Sequence, residues 1–370
     1  MKILLLGDYY EVNKTLAKEL IDKGHQVRLY GLNSGWEKKL NEIEYKNNKL
    51  LSSFKTFKRN IYVLKHILNF RSYDVVQLAS PDFVNVSSSL FFMIFNFLKK
   101  YNKKVFLCGY GLNSYLVLMY LKDKNIKYSE LFLNNKFRDH IDNRRMLDYY
   151  LDESRFKINQ YIAKSCDGII VPKYENFIAY KRFFSCKTQF IPFPVDIPTY
   201  SYENPYIQKN PPDILNICLN IRRYHEELKG RDEVYKVLFR VNSENPLDAH
   251  VIYNIYEYYN PFKAKLNGFD ILIDNILSYS PDINELRAMS NGTVIMCGCN
   301  EQFYNIIGEN KLRPMINVIP EEENIRNTLL YYIKNPQEVK KLSQEGIEFI
   351  KKYFNPSVVA DQYIGFWESR

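Results

Sequence analysis

Glycine is scarce in this chain of 370 residues, 14 in all, against 31 tyrosines and 24 phenylalanines. No G-x-G-x-x-G follows a strand pattern, and no G-x-x-x-x-G-K-[ST] loop occurs. The glycine-built cradles for a dinucleotide and for an ATPase triphosphate are therefore both missing. Long apolar runs are missing too. The longest, LFFMIFNFL at 90–98, carries Asn96 and is too short to span a bilayer as a helix. The opening MKILLLGDYY has four apolar residues before Gly7 and no small-residue cleavage site, so it reads as a strand and not as a signal peptide. Cys108, Cys166, Cys186, Cys218, Cys297 and Cys299 form no CxxC pair and no Cys/His cluster at metal-ligand spacing. Reduced thiols in a cytoplasmic protein with no bound metal are expected. The five histidines, His25, His66, His140, His225 and His250, are scattered, and none suggests a Ser-His-Asp arrangement.

What is present is a globular composition, 46% apolar and 25% charged, over a length that fits two domains. The net charge of +9 permits an anionic partner: nucleotide phosphate, acidic lipid or nucleic acid. No RNA-binding aromatic signature and no zinc-finger spacing occur, so nucleic acid is not expected.

Strand and helix patterns alternate twice. KILLLG (2–7), a loop from Asp8 to Asn13, KTLAKELIDKG (14–24) and QVRLYG (26–31) read as a βαβ unit opening a parallel sheet. Strands follow at DVVQLA (74–79), KVFLCG (104–109) and DGIIVP (167–172). Residues 192–212 hold six of the fifteen prolines and read as an interdomain linker. The alternation restarts with ILNICLNI (214–221), RDEVYKVLFRVN (231–242), HVIYNIY (250–256), FDILIDN (269–275) and TVIMCG (293–298). The expected fold class is α/β: two doubly wound Rossmann-like domains facing across a cleft. The divisions are residues 1–195, a linker 196–212, a second domain 213–353, and a last helix 354–370 that crosses back. Ligands of such sheets bind beyond the carboxyl ends of the strands, so the cleft is the expected site.

Candidate residues sit at those strand ends. The loop IRRYHEELKGRDEV (221–234) gathers Arg222, Arg223 and Lys229 before a helix N-terminus, where free N–H groups and the dipole favour an anion such as a diphosphate. A solvated loop in which Glu226 and Glu227 pair with these bases is the plainer alternative. Asp274 and Asn275 end an apolar strand, and Tyr279, Asn284 and Glu285 flank the helix ELRAMSNG; any of them could bond ribose hydroxyls or simply cap turns. Glu301 opens a helix after Gly298 and is read either as a dipole partner or as a ligand for sugar hydroxyls. In the first domain Gly7, Asp8 and Asn13, with Gly109, Gly111 and Asn113, occupy corresponding strand-end loops. Residues 54–71, with Lys55, Lys58, Arg59 and Lys65 among aromatic and aliphatic residues, read as an ordinary surface helix or as one suited to an anionic membrane surface.

The order of strand, basic loop with Lys229-Gly230, helix, strand ending in Asp274, L-x-A-M-x-x-G (286–292) and apolar strand resembles the GT-B glycosyltransferases, particularly glycosyltransferase family 4. The likeness runs from MKILLLGDYYEVNKTLAKELIDKGHQV to GENKLRPMINVIPEEENIRNTLLYYIKNP and the last helix. It is strongest with the branch found in bacterial surface-polysaccharide clusters. The resemblance implies a metal-independent, retaining transfer from a nucleotide-diphosphate sugar, which is a co-substrate and not a cofactor. Arg223 and Lys229 would neutralise the diphosphate, one residue further apart than usual, and Glu301 matches an acidic position of the fold. A glycan or lipid-linked acceptor is expected on the first domain, near Asp8–Asn13 and 109–113; a lipid-linked one would suit the basic stretch 54–71, with the protein either cytoplasmic or peripheral on the inner face of the plasma membrane. The family's acidic pair, two glutamates separated by seven residues, is absent at its register: Tyr279 and Arg287 stand there. A catalytically degenerate scaffold and a sugar-nucleotide epimerase are the alternative readings.

Overall fold

The computed structural model describes residues 1–30, 60–61, 63–83, 86–197, 215–222, 229–244, 249–256 and 269–370. Arg223, Lys55, Lys58, Arg59, His225 and residues 198–212 of the proline-rich stretch lie outside them.

The first half is built from β1 (Lys2–Leu6), α1 (Val12–Asp22), β2 (Gln26–Tyr30), β3 (Val75–Leu78), α2 (Ser88–Tyr101), β4 (Lys104–Cys108) and α3 (Ser114–Lys122). A small antiparallel hairpin, β5 (Phe132–Leu133) and β6 (Lys136–Phe137), follows. Then come α4 (Ile141–Leu151), α5 (Glu153–Ser165), β7 (Gly168–Val171), α6 (Tyr174–Phe184) and β8 (Thr188–Phe190). Six strands pair in parallel in the order β2-β1-β3-β4-β7-β8, with Ile3 opposite both Val27 and Val75. Strands such as VVQL and GIIV are buried at every position. This is why they read as continuous apolar runs and not as an in–out alternation: helices cover both faces of a parallel sheet.

The second half contains β9 (Leu215–Arg222), α7 (Arg231–Glu244), β10 (Ala249–Tyr256), β11 (Ile271–Ile273), α8 (Ile283–Ser290), β12 (Val294–Cys297), α9 (Glu301–Ile307) and β13 (Ile316–Asn317). The helices α10 (Glu322–Lys334), α11 (Pro336–Tyr353) and α12 (Pro356–Glu368) complete it. Its five strands are also parallel, in the order β10-β9-β11-β12-β13. In each sheet the strand order reverses beside the first strand, at β1/β3 and at β9/β11. Crevices open at such reversals.

Helix α8 and its flanks show how the second sheet is organised locally. Asp282 and Glu285 form a reciprocal capping box at its start. Gly292, in the left-handed region with φ 85°, ends it and turns the chain into the buried strand β12.

Helix α12 returns to the first sheet. Tyr363 and Trp367 are fully buried, Trp367 against Phe106, and the Tyr363 hydroxyl lies 2.9 Å from that of Tyr110. Lys104 Nζ donates to the Trp367 carbonyl at 2.7 Å, and Lys23 pairs with Asp361 at 2.9 Å. Full burial of a large apolar side chain contributes about 1.5–3 kcal/mol, so these aromatics fasten the chain's end firmly. Where the chain passes between the halves, the Val195 N–H donates to the Phe354 carbonyl at 2.8 Å.

Candidate active site

The carboxyl ends of both sheets face one cavity of about 420 Å³. The first half lines it with Tyr9, Tyr110, Gly111, Glu130 and Lys173, among others. The second contributes Lys229, Arg231, Asp282, Ile283 and Asn284.

Its charged floor follows from one turn. Gly230 has φ +73°, and a Cβ there would come within 2.6 Å of Ile276 Cγ1, so only glycine fits. The turn sets Lys229 and Arg231 on the same carboxylate. Arg231 donates to Asp274 through both Nε (3.1 Å) and Nη2, and Lys229 Nζ lies 3.3 Å from Asp274 Oδ2. Arg231 is 1% exposed, and its Nη1 is buried without a hydrogen-bond partner. Such an orphan donor is costly unless a ligand fills it.

Asp282 is shared between the halves: Lys173 of the first lies 2.7 Å away and Lys229 of the second 2.8 Å. Burial works against ionisation of Asp282 and of Asp274, but the cations outweigh it and hold both carboxyls below the usual range. Burial also opposes the charge on Lys229, which Asp274 and Asp282 more than restore. Glu285 is different. Burial, reinforced by the Asp274 and Asp282 charges, pushes it up to about 8.

Further contacts cross the cleft. Glu175 at the start of α6 accepts from the Tyr279 N–H (2.6 Å) and the Ser280 hydroxyl (2.5 Å). Tyr279 stacks on Tyr128 with centroids 4.6 Å apart and donates its hydroxyl to the Tyr128 carbonyl at 3.1 Å. Arg138 reaches Asp232 at 3.1 Å. Arg287 Nη2 donates to the Tyr10 carbonyl at 2.5 Å, in the field of Asp196, Glu11 and Asp8. Arg287 thus points out of the second half and holds the first.

Of the sequence candidates, Lys229 and Asn284 line the cavity, and Asp274 lies beneath it under Lys229 and Arg231. Several others require correction. Glu285 is fully buried, with one oxygen on the Asn275 N–H (3.0 Å) and the other on the Asp282 N–H (2.6 Å), so it holds the backbone, and it is not among the cavity-lining residues. Asn275 is buried and accepts from the Leu277 N–H, shaping a turn. Tyr279 is engaged with Tyr128 across the cleft. Glu301 is exposed, paired with Arg313 at 2.8 Å, and is not among the cavity-lining residues, because α9 starts on the outer surface.

In the first half Gly111 lines the cavity beside Tyr9. Asn13 is buried, donating to the Gly7 carbonyl and accepting from Gln77 and Tyr110, so it ties strand ends together beneath the surface. Gly7 packs on Ala79 and faces away from the cavity. Gly109 is wedged against Val171 and Tyr180, with its carbonyl accepting from Asn176. Asn113 caps α3 by accepting from Tyr115 and Leu116 N–H groups. Asp8 accepts from the Asn13 N–H, and burial raises it to about 6. Lys65 is exposed, beside Leu64 (44%) and Leu68 (59%).

Arg231, Lys173, Glu130, Asp282 and Glu175 were not among the sequence candidates. Arg231 carried a signal, a second cation two residues beyond Lys229 at the same helix start. Among the described residues no group of three or more His, Cys, Asp or Glu could hold a metal ion, and no helix is long and apolar enough to cross a membrane.

No family model matches the chain, and no curated protein matches it in sequence. Solved structures do match in fold. HepE from Anabaena, solved in complex with UDP, is 12% identical with a TM-score of 0.56, over 100% of both chains. Sucrose-phosphate synthase from Thermosynechococcus elongatus is 14% identical with a TM-score of 0.59, over 100% of this chain and 99% of its own. A Listeria monocytogenes protein described as a UDP-N-acetylglucosamine 2-epimerase is 11% identical with a TM-score of 0.52, over 98% and 94%. The likeness over the full chain shows the fold expected from the sequence, two Rossmann-like domains facing across a cleft in the GT-B arrangement.

Proposed function

We propose that this chain is a glycosyltransferase that moves a sugar from a nucleoside-diphosphate sugar to a glycan or lipid-linked acceptor. The observation that carries this reading is Arg231: a guanidinium buried at the start of α7, lining the interdomain cavity with its Nη1 unfilled, beside Lys229 and Lys173. A diphosphate is the ligand that this cluster suits. Arginine supplies a planar fork for its oxygens and lysine a point charge. As the glycosidic bond breaks, charge grows on the leaving diphosphate. Fixed cations and the α7 N-terminus, in a cavity shielded from water, stabilise that charge more than they stabilise the ground state. In this reading the side chains neutralise the charge without a metal, and the anomeric configuration is retained.

The tyrosine-rich wall of the first domain, with Tyr9, Tyr110 and Tyr120, suits a sugar acceptor. Exposed Ile61 (39%), Leu64 and Met93 (46%) near Lys65 support a protein peripheral to the inner membrane face, acting on a lipid-linked acceptor in surface polysaccharide synthesis. The epimerase reading has its own support in Glu130, a cavity carboxyl raised by burial and able to exchange a proton with a sugar. An epimerase would convert its nucleotide sugar with no acceptor present.

The test is a thermal-stability screen against UDP, GDP and their sugars. A true ligand at 100 times its Kd stabilises by about 2.7 kcal/mol. Lys229→Ala and Arg223→Ala should each lower turnover greatly while the protein stays folded. The absence of stabilisation by any nucleoside diphosphate would leave the scaffold reading standing and remove this one.

A further inference from the structure

Resting on the transferase reading, we infer that Glu130 is a catalytic residue, the group that takes the proton from the attacking hydroxyl. Glu130 lines the cavity from the segment just before β5, a stretch absent from the sequence candidates. The other carboxylates lining the cavity are occupied: Asp82 pairs with Arg155 at 3.3 Å, and Asp282 with Lys173 and Lys229. No hydrogen bond or ion pair engages the Glu130 carboxylate among the described residues, so it is the one left to accept a hydrogen from a ligand.

Its backbone is held in place across the cleft. The Glu130 carbonyl accepts from Arg138 Nη1 at 3.3 Å, and Arg138 Nη2 grips Asp232, beside Arg231 on α7. The Ser129 hydroxyl accepts from the Leu131 and Phe132 N–H groups and fixes the turn on which Glu130 rides. The contact that joins the halves therefore also delivers the carboxylate.

The groups that face it set its proton affinity. Burial raises it to about 6, Lys173 and Lys229 oppose the rise, and Asp282 and Glu175 add to it. Tyr9, Tyr120 and Tyr150 are close enough to sense its charge. A base of this strength is ionised at neutral pH and still able to hold a proton in the transition state.

In the step, the acceptor oxygen bonds to the anomeric carbon and the bond from that carbon to the phosphate oxygen breaks with its electron pair. The hydroxyl proton passes to Glu130, and the nucleoside diphosphate leaves as the anion beside Lys229 and Arg231. Glu130, Lys173, Lys229 and Arg231 line the same cavity, so base and leaving diphosphate meet at one sugar. Reopening of the cleft returns the proton to water.

The experiment compares wild type with Glu130→Gln and Glu130→Ala. UDP affinity is measured by calorimetry. UDP release from UDP-glucose, UDP-N-acetylglucosamine and UDP-galactose, with water as acceptor, is followed from pH 5 to 8. The expected result is a loss of about 100-fold in release for Glu130→Gln, in the usual range for general-base catalysis. UDP affinity should stay within about threefold, the acid limb near pH 6 should disappear, and formate should partly restore Glu130→Ala. Release within about threefold of wild type, an acid limb that persists, or a wild type that binds UDP yet releases none from these donors would overturn the assignment. A wild type that fails to bind UDP refutes the donor reading itself, a distinct outcome that removes this proposal with it.

Discussion

Replacing Arg231 by methionine separates the structural and the ligand-binding parts of the charged floor. Arg231 and Asp274 are 1% and 2% exposed and share two hydrogen bonds. Methionine keeps most of the volume but leaves Asp274 with Lys229 alone, at 3.3 Å. Removing one partner of a buried pair costs about 3–5 kcal/mol. The surviving lysine places Arg231→Met near the lower figure, about 3 kcal/mol. The double variant Arg231→Met/Asp274→Asn removes the stranded charge and should recover about 1–2 kcal/mol, a coupling of the usual size for touching residues.

The sign with pH follows from Asp274. Its folded carboxyl is held below the ordinary value, so its stabilisation is present above about pH 4 and is lost as pH falls below that. The penalty of Arg231→Met should therefore shrink in acid. UDP binding tests the other half. A hydrogen bond to a charged group contributes about 1.5–3 kcal/mol, so calorimetry should show UDP binding weakened by about 10- to 150-fold. Urea unfolding at pH 7 and pH 3 reads the stability. A loss below about 1 kcal/mol at pH 7, or unchanged UDP affinity, would refute the reasoning.

Three further outcomes are expected. Arg287→Glu breaks the bond to the Tyr10 carbonyl and sets a carboxylate among Asp196, Glu11 and Asp8, so it should cost about 1.5–3 kcal/mol and enlarge the radius of gyration in solution scattering; an unchanged protein would show that Arg287 is no latch. Glu285 is raised to about 8, so its contribution is complete below about pH 4.5 and is lost as pH climbs to 8; wild type should lose stability relative to Glu285→Gln by up to about 1 kcal/mol per pH unit, and parallel urea curves would contradict this. Binding to anionic liposomes at low salt should fall when Lys55, Lys58 and Arg59 are neutralised, and no binding by wild type would end the membrane reading.

The fold was legible because parallel strands covered on both faces cannot alternate: KILLL, KVFLC and GIIV announce themselves as unbroken apolar runs. The α8 capping box is spelled out as Asp282 and Glu285 three residues apart, but spacing leaves Glu285 open between a cap and a ribose ligand, because it does not reveal which oxygens the backbone will claim. Lys173 and Glu130 were invisible for another reason. Each lies in the first half of the chain, and only the meeting of two sheets sets them against Lys229 and Asp282. The β5–β6 hairpin did leave a trace. Asn134 and Asn135, both with positive φ, sit between Phe132-Leu133 and Lys136-Phe137, and such a dipeptide is a two-residue turn signal.

The bond from the Val195 N–H to the Phe354 carbonyl has a mechanical consequence. The polypeptide passes between the halves twice, and at this point the two passages are stitched side by side. A single tether would let one half swivel in any direction. Two tethers joined at one point restrict that freedom. With α12 anchored on the first sheet as well, any motion of one half against the other has to start at the far side of the cleft, by parting Lys173 and Asp282, 2.7 Å apart.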